Sequence, residues 1–342
     1  RSIQLSYRRF FYNLMHMSNK TIIFFASKED NKQRIDICLS KKLKNQSRSN
    51  LKKDIIEKRV KINGIIISSP SKKIKENDRI EIKINEGEKS KLKGEKISLN
   101  IIYEDNELLI INKPSGMVVH PGAGNKSKTL VNGLIFKYKN LSNISGMQRP
   151  GIVHRIDKNT SGLLVVAKNN YAHTQLSNQF SKHTINRKYI ALIWGVLRPL
   201  RGKIETLITR DLRNRQLMTV SFSKGKKAIT HYETQRVFFA KDLPKISLVE
   251  FKLLTGRTHQ IRVHMNYKKT PILGDSKYKK KVTKFKKINL DFKKILNKLD
   301  GQSLHAKTLG FTHPSKNKYL EFNSDLPKNF KNTLKILEKI TD

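Results

Sequence analysis

The sequence predicts an α+β protein in two parts: a small helix–helix–hairpin–strand module over residues 33–84, then a larger strand-rich region. Three observations carry that reading. Ile35, Leu39 and Leu43 recur at i, i+4 and i+8, the spacing of a helix face. Asn63-Gly64 lies between two short apolar runs, the strongest local signal for a two-residue hairpin. Gly162 to Ala167 is an unbroken apolar run, and Ser247, Val249, Phe251 and Leu253 share one face of another segment, as strands do.

The elements follow in order. Residues 1–28 contain no acid and carry Arg1, Arg8, Arg9, Lys20 and Lys28. Two readings stand for them: an upstream remnant with Met15 or Met17 as the true start, or a basic organellar transit segment. After the first helix, Ser47-Arg48-Ser49 offers capping hydroxyls for a second, with Leu51 and Ile55 on one face. Val60–Ile62 and Ile65–Ile67 form the hairpin arms, and Arg79 to Ile84 alternates as a half-buried strand. The Lys/Glu-rich stretch from Glu86 to Lys96 reads as a linker. Beyond it, Leu108 to Asn112 is a strand stopped by Pro114 and Gly116. Ala172, Leu176 and Phe180 mark a helix. Tyr189 to Val196 and Tyr319 to Phe322 are strands, and Phe330, Leu334, Leu337 and Ile340 form a C-terminal amphipathic helix. Residues 276–299 hold ten lysines against one aspartate, a solvated insertion or a phosphate-gripping arm.

Composition narrows the function classes. The 342 residues include 71 Lys and Arg against 27 Asp and Glu, a formal net charge of +44. Over-use of Lys, Asn and Ile is also what A/T-rich coding produces without any selection for nucleic-acid binding, so the charge has two readings. A chain this basic is still drawn to polyphosphates by counterion release and is a poor handler of cationic substrates. One cysteine, Cys38, excludes a disulfide scaffold and a cysteine-based zinc cluster. No apolar run approaches the ~18 residues of a membrane span. Gly-x-Gly-x-x-Gly after a strand, Gly-Lys-Ser/Thr and Gly-x-Ser-x-Gly are all missing, so nucleotide-cofactor, NTP and serine-elbow chemistry have no support. His259 and His264, five apart, fall on different faces of a helix or strand and cannot easily share a metal ion.

Two constellations remain. In Arg149-Pro-Gly-Ile-Val-His-Arg-Ile-Asp157-Lys-Asn-Thr-Ser-Gly162, a carboxylate sits on a turn feeding the buried strand. Held rigidly there, Asp157 can act as nucleophile or base; the alternative is an Asx-turn bonding its own backbone. In Leu254-Thr-Gly-Arg-Thr-His-Gln-Ile-Arg-Val-His264, Thr258 is the expected N-cap of a helix whose first turns carry Arg262. That guanidinium can grip a carboxylate bidentately, or simply face solvent.

The run His154-Arg-Ile-Asp-Lys-Asn-Thr-Ser-Gly162 resembles the catalytic motif of the pseudouridine synthases of large-subunit rRNA (the RluA/RluD family). Asn112-Lys-Pro-Ser-Gly116 with Val119-His120, Arg187-Lys-Tyr189, Thr255-Gly-Arg-Thr-His-Gln-Ile-Arg262 and Leu304-His-Ala306 resemble its other motifs in order, over about residues 99–325. Residues 33–84 resemble an S4 RNA-binding domain. Val119-His-Pro-Gly-Ala-Gly-Asn125 brings the chain nearest the RluD branch, which modifies the helix 69 stem-loop. Ile156 stands where the family usually has Leu, a volume-conserving change.

The resemblance implies a largely antiparallel mixed sheet of the pseudouridine synthase fold, preceded by a small S4-type αα-β domain. It divides the chain into a basic tail or leader (1–28), an S4-like domain (29–85), a linker (86–98) and a catalytic domain (99–342). It implies isomerisation of uridine to pseudouridine without metal or organic cofactor. Asp157 is the implied catalytic carboxylate, by attack on C1′ or by ribose proton abstraction, with Arg262 as its partner and Tyr189 against the base. Arg155 is placed to fill the gap left by a flipped nucleotide. His154 beside it, and Arg48, Lys52 and Lys53 of the small module, are the expected RNA contacts. The expected partner is large-subunit rRNA or its assembly precursor, met by a monomer in the cytoplasm, or in an organelle if residues 1–28 are a transit segment. Two rival classes are a catalytically inert S4-bearing ribosome-assembly factor and an S4-bearing RNA methyltransferase; the latter lacks a glycine-rich cofactor loop.

Overall fold

Apolar residues sort the chain into two units, Arg1–Lys91 and Leu92–Asp342. The computed structural model describes residues 15–18, 21–43, 48–83, 92–122, 124–146, 148–241, 243–278, 290–299 and 301–341.

The first unit holds strands β1 (Met15–Ser18), β2 (Thr21–Phe25), β3 (Val60–Ile62), β4 (Ile65–Ile67) and β5 (Arg79–Lys83), with helices α1 (Ile35–Lys42) and α2 (Arg48–Ile56). The strands form an antiparallel sheet in the order β1-β2-β5-β3-β4. Asn63 and Gly64 take φ of 51° and 81°, the left-handed pair that a tight hairpin requires. Ile35, Leu39, Leu51 and Ile55 from the helices close over Phe24, Val60, Ile62, Ile80 and Ile82. The sheet is larger than the sequence reading allows. Thr21–Phe25 pairs along β5 and buries Phe24, so these residues are a strand of the first unit. Ile22 and Phe24 carry the two-residue period of that strand, masked by its basic surroundings.

The second unit is a ten-stranded mixed sheet. Its strands are β6 (Ile101–Glu104), β7 (Leu108–Lys113), β8 (Ser161–Ala167), β9 (Asn186–Trp194), β10 (Arg201–Arg210), β11 (Met218–Ser221), β12 (Lys226–Ala240), β13 (Leu243–Leu253), β14 (Leu304–Thr312) and β15 (Tyr319–Asn323). They run in the order β11-β10-β12-β13-β9-β14-β8-β7-β6, with β15 beside β14; among the described residues only β14 and β8 pair in parallel. The helices are α3 (Leu130–Lys137), α4 (Asn170–Ser181), α5 (Gln260–Tyr267), α6 (Leu290–Lys298) and α7 (Lys328–Thr341).

The unbroken apolar run of β8 has a physical reason: both its faces are covered. Leu164 and Val166 pack with Leu130, Val131 and Leu134 of α3 and Ile261 and Met265 of α5. Leu163, Val165 and Ala167 pack with Ala172 and Leu176 of α4. A further core joins Ile190, Leu192 and Trp194 to Phe292, Phe330 and Leu337 of α6 and α7. Thus part of the lysine-rich 276–299 segment is a packed helix; residues 279–289 lie outside the described residues.

The expected linker 86–98 also needs correction. Leu92 and Leu99 pack on the core of the large unit, and the Glu95 N–H donates to the Asn132 carbonyl at 2.9 Å. Residues 92–98 therefore belong to that unit, held by apolar side chains that a charged composition concealed. Among the described residues no helix is long and apolar enough to cross a membrane.

Gly162 shows how tightly the sheet centre is built. It lies at φ +112°, and a Cβ there would run into the Ala306 backbone on β14. Gly162→Ala is expected to cost about 2–4 kcal/mol from backbone strain and overpacking. Thermal or urea unfolding checks this; a midpoint equal to wild type would refute it.

Candidate active site

The segment leading to Asp157 is fastened at several points. The His154 Nε2 accepts the Val165 N–H at 3.0 Å, and its ring stacks on Phe180 with centroids 4.6 Å apart. After Asp157, the Lys113 ammonium donates to the carbonyls of Lys158 (3.0 Å), Pro114 (2.8 Å) and Met117 (2.9 Å). Lys113 is fully buried, and burial pushes its pKa down to about 7, opposed by the charge of Asp157. Gln302 Nε2 donates to Thr160 Oγ1 at 3.0 Å, and His305 bridges the hydroxyls of Ser161 (2.9 Å) and Ser324 (2.8 Å). The turn itself is closed by the Thr160 N–H donating to the Asp157 backbone carbonyl at 3.1 Å. The carboxylate is thereby left for other work.

That work is with Arg262, which sits in the first turn of α5 and is buried. Its Nη1 donates to Asp157 Oδ2 at 2.9 Å. The two-pronged grip that the sequence led us to expect on a carboxylate goes elsewhere. Nε and Nη2 of Arg262 donate to Oδ2 and Oδ1 of Asp275 at 2.7 and 2.8 Å. Asp275 is fully enclosed and also accepts the N–H groups of Lys277 (3.0 Å) and Tyr278 (3.1 Å). Burial alone would raise the Asp275 pKa and lower that of Arg262. Their mutual hydrogen bonds and charge reverse both effects, so the carboxyl is held down and the guanidinium up. Asp157 is the outer member, its side chain 19% exposed against 5% for Arg262. Its Oδ1 lies 3.9 Å from His259 Nε2, beyond hydrogen-bond reach. One carboxylate oxygen is anchored and the other faces the cleft.

The turn that presents α5 is clamped by Gln260. Its Oε1 accepts Thr255 Oγ1 (2.8 Å) and the Arg257 N–H (2.9 Å), while Nε2 donates to the Ile229 carbonyl (3.0 Å) and Thr230 Oγ1 (2.9 Å). The expected Thr258 cap gives way to His259 at φ +56°, with no side-chain capping bond. Internal fastening by Gln260 makes the cap dispensable. His259 Nδ1 meets the Tyr278 hydroxyl at 3.0 Å, and burial lowers its pKa against the pull of Asp157.

Asp157, His259, Gln260 and Arg262 line a cleft of about 470 Å³, bounded further by Tyr189, Arg155, Arg187 and Leu304. A volume in the range of about 300–1,000 Å³ suits a small-molecule or single-nucleotide site. Tyr189, on β9, is buried, and burial raises its phenol. Arg155 is exposed at the cleft, one Nη1 on His120 Nε2 at 3.2 Å. Burial takes the His154 pKa down to about 3, so this ring is a neutral fastening and brings no positive charge to RNA. In the small unit, Lys53 is exposed, with Glu57 at 3.6 Å, and Lys52 lies 3.6 Å from the buried Asp36. Arg48 opens α2, but its side chain lies outside the described residues. Among the described residues no three His, Cys, Asp or Glu side chains gather as metal ligands. His264 instead lies buried between the hydroxyls of Thr206 (3.0 Å) and Thr230 (2.9 Å).

Sequence reasoning thus missed Asp275, Lys113 and the roles of Gln260 and His259. A signal for Asp275 was present: it is the sole acid between Glu250 and Asp291 in a strongly basic tract.

The RNA pseudouridylate synthase family model matches residues 107–267, and the S4 domain model matches residues 33–80. An uncharacterised RNA pseudouridine synthase of Bacillus subtilis is 42% identical over 92% of this chain and 97% of its own. The ribosomal large subunit pseudouridine synthase D of Buchnera aphidicola is 40% identical over 90% of this chain and 94% of its own. Among solved structures, human RNA pseudouridylate synthase domain containing 4 aligns with a TM-score of 0.53 at 27% identity, over 70% of this chain and 93% of that one. With its aspartate and arginine paired at the cleft and an S4 domain ahead of them, the chain belongs to the RNA pseudouridine synthase family.

Proposed function

We propose that this protein isomerises uridines of large-subunit rRNA to pseudouridine, with its target in the helix 69 stem-loop, and that it works in the cytoplasm. The observation that carries the chemistry is Asp157, held by Arg262 at 2.9 Å through one oxygen and open to the cleft through the other. The target reading is supported by relatives named for the large ribosomal subunit and by the Val119–Asn125 motif.

The reaction balances internally. The N1–C1′ bond breaks, the uracil turns, C5 bonds to C1′, a proton leaves C5 and N1 gains one. The free oxygen of Asp157 is the group that acts at the ribose, either on C1′ or on a ribose proton. Arg262, itself held by Asp275, keeps it aimed. Tyr189 lies along the base. Its raised pKa keeps the hydroxyl protonated at neutral pH, so help at C5 takes the form of a relay in which the phenol oxygen takes the C5 proton as its own proton passes to water. A stacked uridine cannot enter the cleft, so the nucleotide is flipped, and Arg155, exposed beside it, fills the gap. The S4 unit grips phosphates, which position the RNA without specifying it.

The direct test is reaction with large-subunit rRNA followed by carbodiimide-based mapping. Signal in helix 69 is the expected result. Signal elsewhere keeps the activity and discards the target, and binding without any signal favours the inert assembly-factor reading.

Three variants probe the site. Asp157→Asn preserves shape but has neither charge nor a basic lone pair, so it is expected to bind rRNA and form no detectable pseudouridine. Product from that variant would mean another group does the chemistry. Arg262→Lys keeps the charge but loses the planar grip on two carboxylates; turnover is expected to drop roughly tenfold to a thousandfold. Asp275→Asn leaves Asp157 untouched yet loosens Arg262. It is expected to lower both turnover and the unfolding midpoint with little change in RNA affinity, measured by single-turnover kinetics, calorimetry and filter binding.

A further inference from the structure

A second groove, of about 490 Å³, lies apart from the cleft, between the β10–β11 region and the C-terminal end of α5. Two aromatic rings stand out on it. Phe222 is 85% exposed and Tyr267 is 43% exposed. Their centroids are 6.3 Å apart with planes at 60°, an edge-to-face arrangement that leaves π-surface uncovered. Lys203, Lys227 and Lys268 surround them. Glu205 engages the first two, at 2.9 and 2.6 Å, so the rim carries two net positive charges. The Lys268 ammonium lies 6.0 Å from the Tyr267 ring centroid.

The groove is physically tied to the catalytic centre. Helix α5 carries Arg262 in its first turn and Tyr267 at its end, about 7.5 Å of helix axis apart. Strand β11 begins at Met218, whose N–H donates to the Tyr278 hydroxyl at 2.9 Å beside His259, and runs out at Ser221, next to Phe222. Exposed rings interleaved with lysines match one ligand chemistry closely: a nucleobase for the ring and a phosphate for the cation. An apolar protein segment would cover the rings and leave the ammonium groups without anions.

We propose that this groove is a stacking subsite for an unpaired nucleotide of the RNA substrate, distinct from the uridine being isomerised. The proposal rests on the RNA-modifying reading above. Its test uses the full chain and a large-subunit rRNA fragment, with Kd by filter binding and single-turnover kinetics in parallel. Phe222→Ala and Tyr267→Ala should each raise Kd and the half-saturating RNA concentration about five- to fiftyfold, the range of one lost base stack. The rate at saturating RNA should stay at the wild-type value, because neither ring touches the cleft. Phe222→Leu should behave like Phe222→Ala, and Phe222→Trp like wild type. The indole introduced by Phe222→Trp should be quenched by bound RNA above the background of the buried Trp194. Unchanged Kd in both alanine variants would overturn the proposal. So would full rescue by Phe222→Leu, which would point to an apolar protein contact instead. Wild-type protein that binds the fragment but makes no pseudouridine would count against the activity, while the Kd series still decides the groove.

Discussion

Arg262 is shared between two carboxylates, and the site's geometry follows from how it divides itself. Its two-pronged edge is committed to Asp275 at 2.7 and 2.8 Å, in full enclosure, and only the remaining Nη1 reaches Asp157 at 2.9 Å. A buried ion pair contributes little net stability, since desolvation of both charges offsets their attraction, but loss of one partner costs about 3–5 kcal/mol. The inner pair therefore acts as a fixed anchor. The outer aspartate is oriented by a guanidinium that has little freedom to move, and it reaches the chemistry with one oxygen still unengaged.

The surrounding structure serves that anchor. Gln260 makes four hydrogen bonds that fix the turn before α5, which sets where Arg262 emerges. Lys113 gathers three carbonyls from both sides of the Asp157 turn, and His154 ties its approach to β8. Lys113 and Gln260 are buried and His154 half-buried, each with partners inside the protein. Buried polar groups in that state rigidify the backbone around them, because every alternative arrangement leaves a donor or acceptor without water or a partner.

What the sequence revealed and what it concealed divide along physical lines. Local signals were readable: the helix period from Ile35, the Asn63-Gly64 turn and the two-sided burial of Gly162–Ala167. So was the pairing of Asp157 with Arg262, since both lie in runs of unusual composition that match a family pattern. Long-range relations were not. Asp275 lies 13 positions beyond Arg262, and although it is the sole acid of a basic tract, nothing local says which cation it meets. Strand β12 was overlooked because its outward residues mix Lys, Glu and Arg with exposed Val237 and Phe239, and its inward ones are scattered by register shifts against β13. Residues 92–98 read as linker because charge hid the apolar side chains that pack on α3. His154 was read as an RNA contact, and its ring also accepts a backbone N–H that only the folded β8 supplies.

Strand β14 lies between β8 and β9, which do not pair with each other. Its His305 faces Ser161 on one side and Ile190 on the other. The Asp157 turn belongs to the β7–β8 half of the sheet, whereas Tyr189 and Arg262 belong to the β9–β13 half. Synthesis delivers both halves well before residues 304–312. Contacts this distant in sequence form late and slowly, because loop closure must precede any gain from pairing. On a translating ribosome the two halves of the catalytic centre are thus made early and joined late. The chain can join the two halves through this strand only after residues 304–312 have emerged.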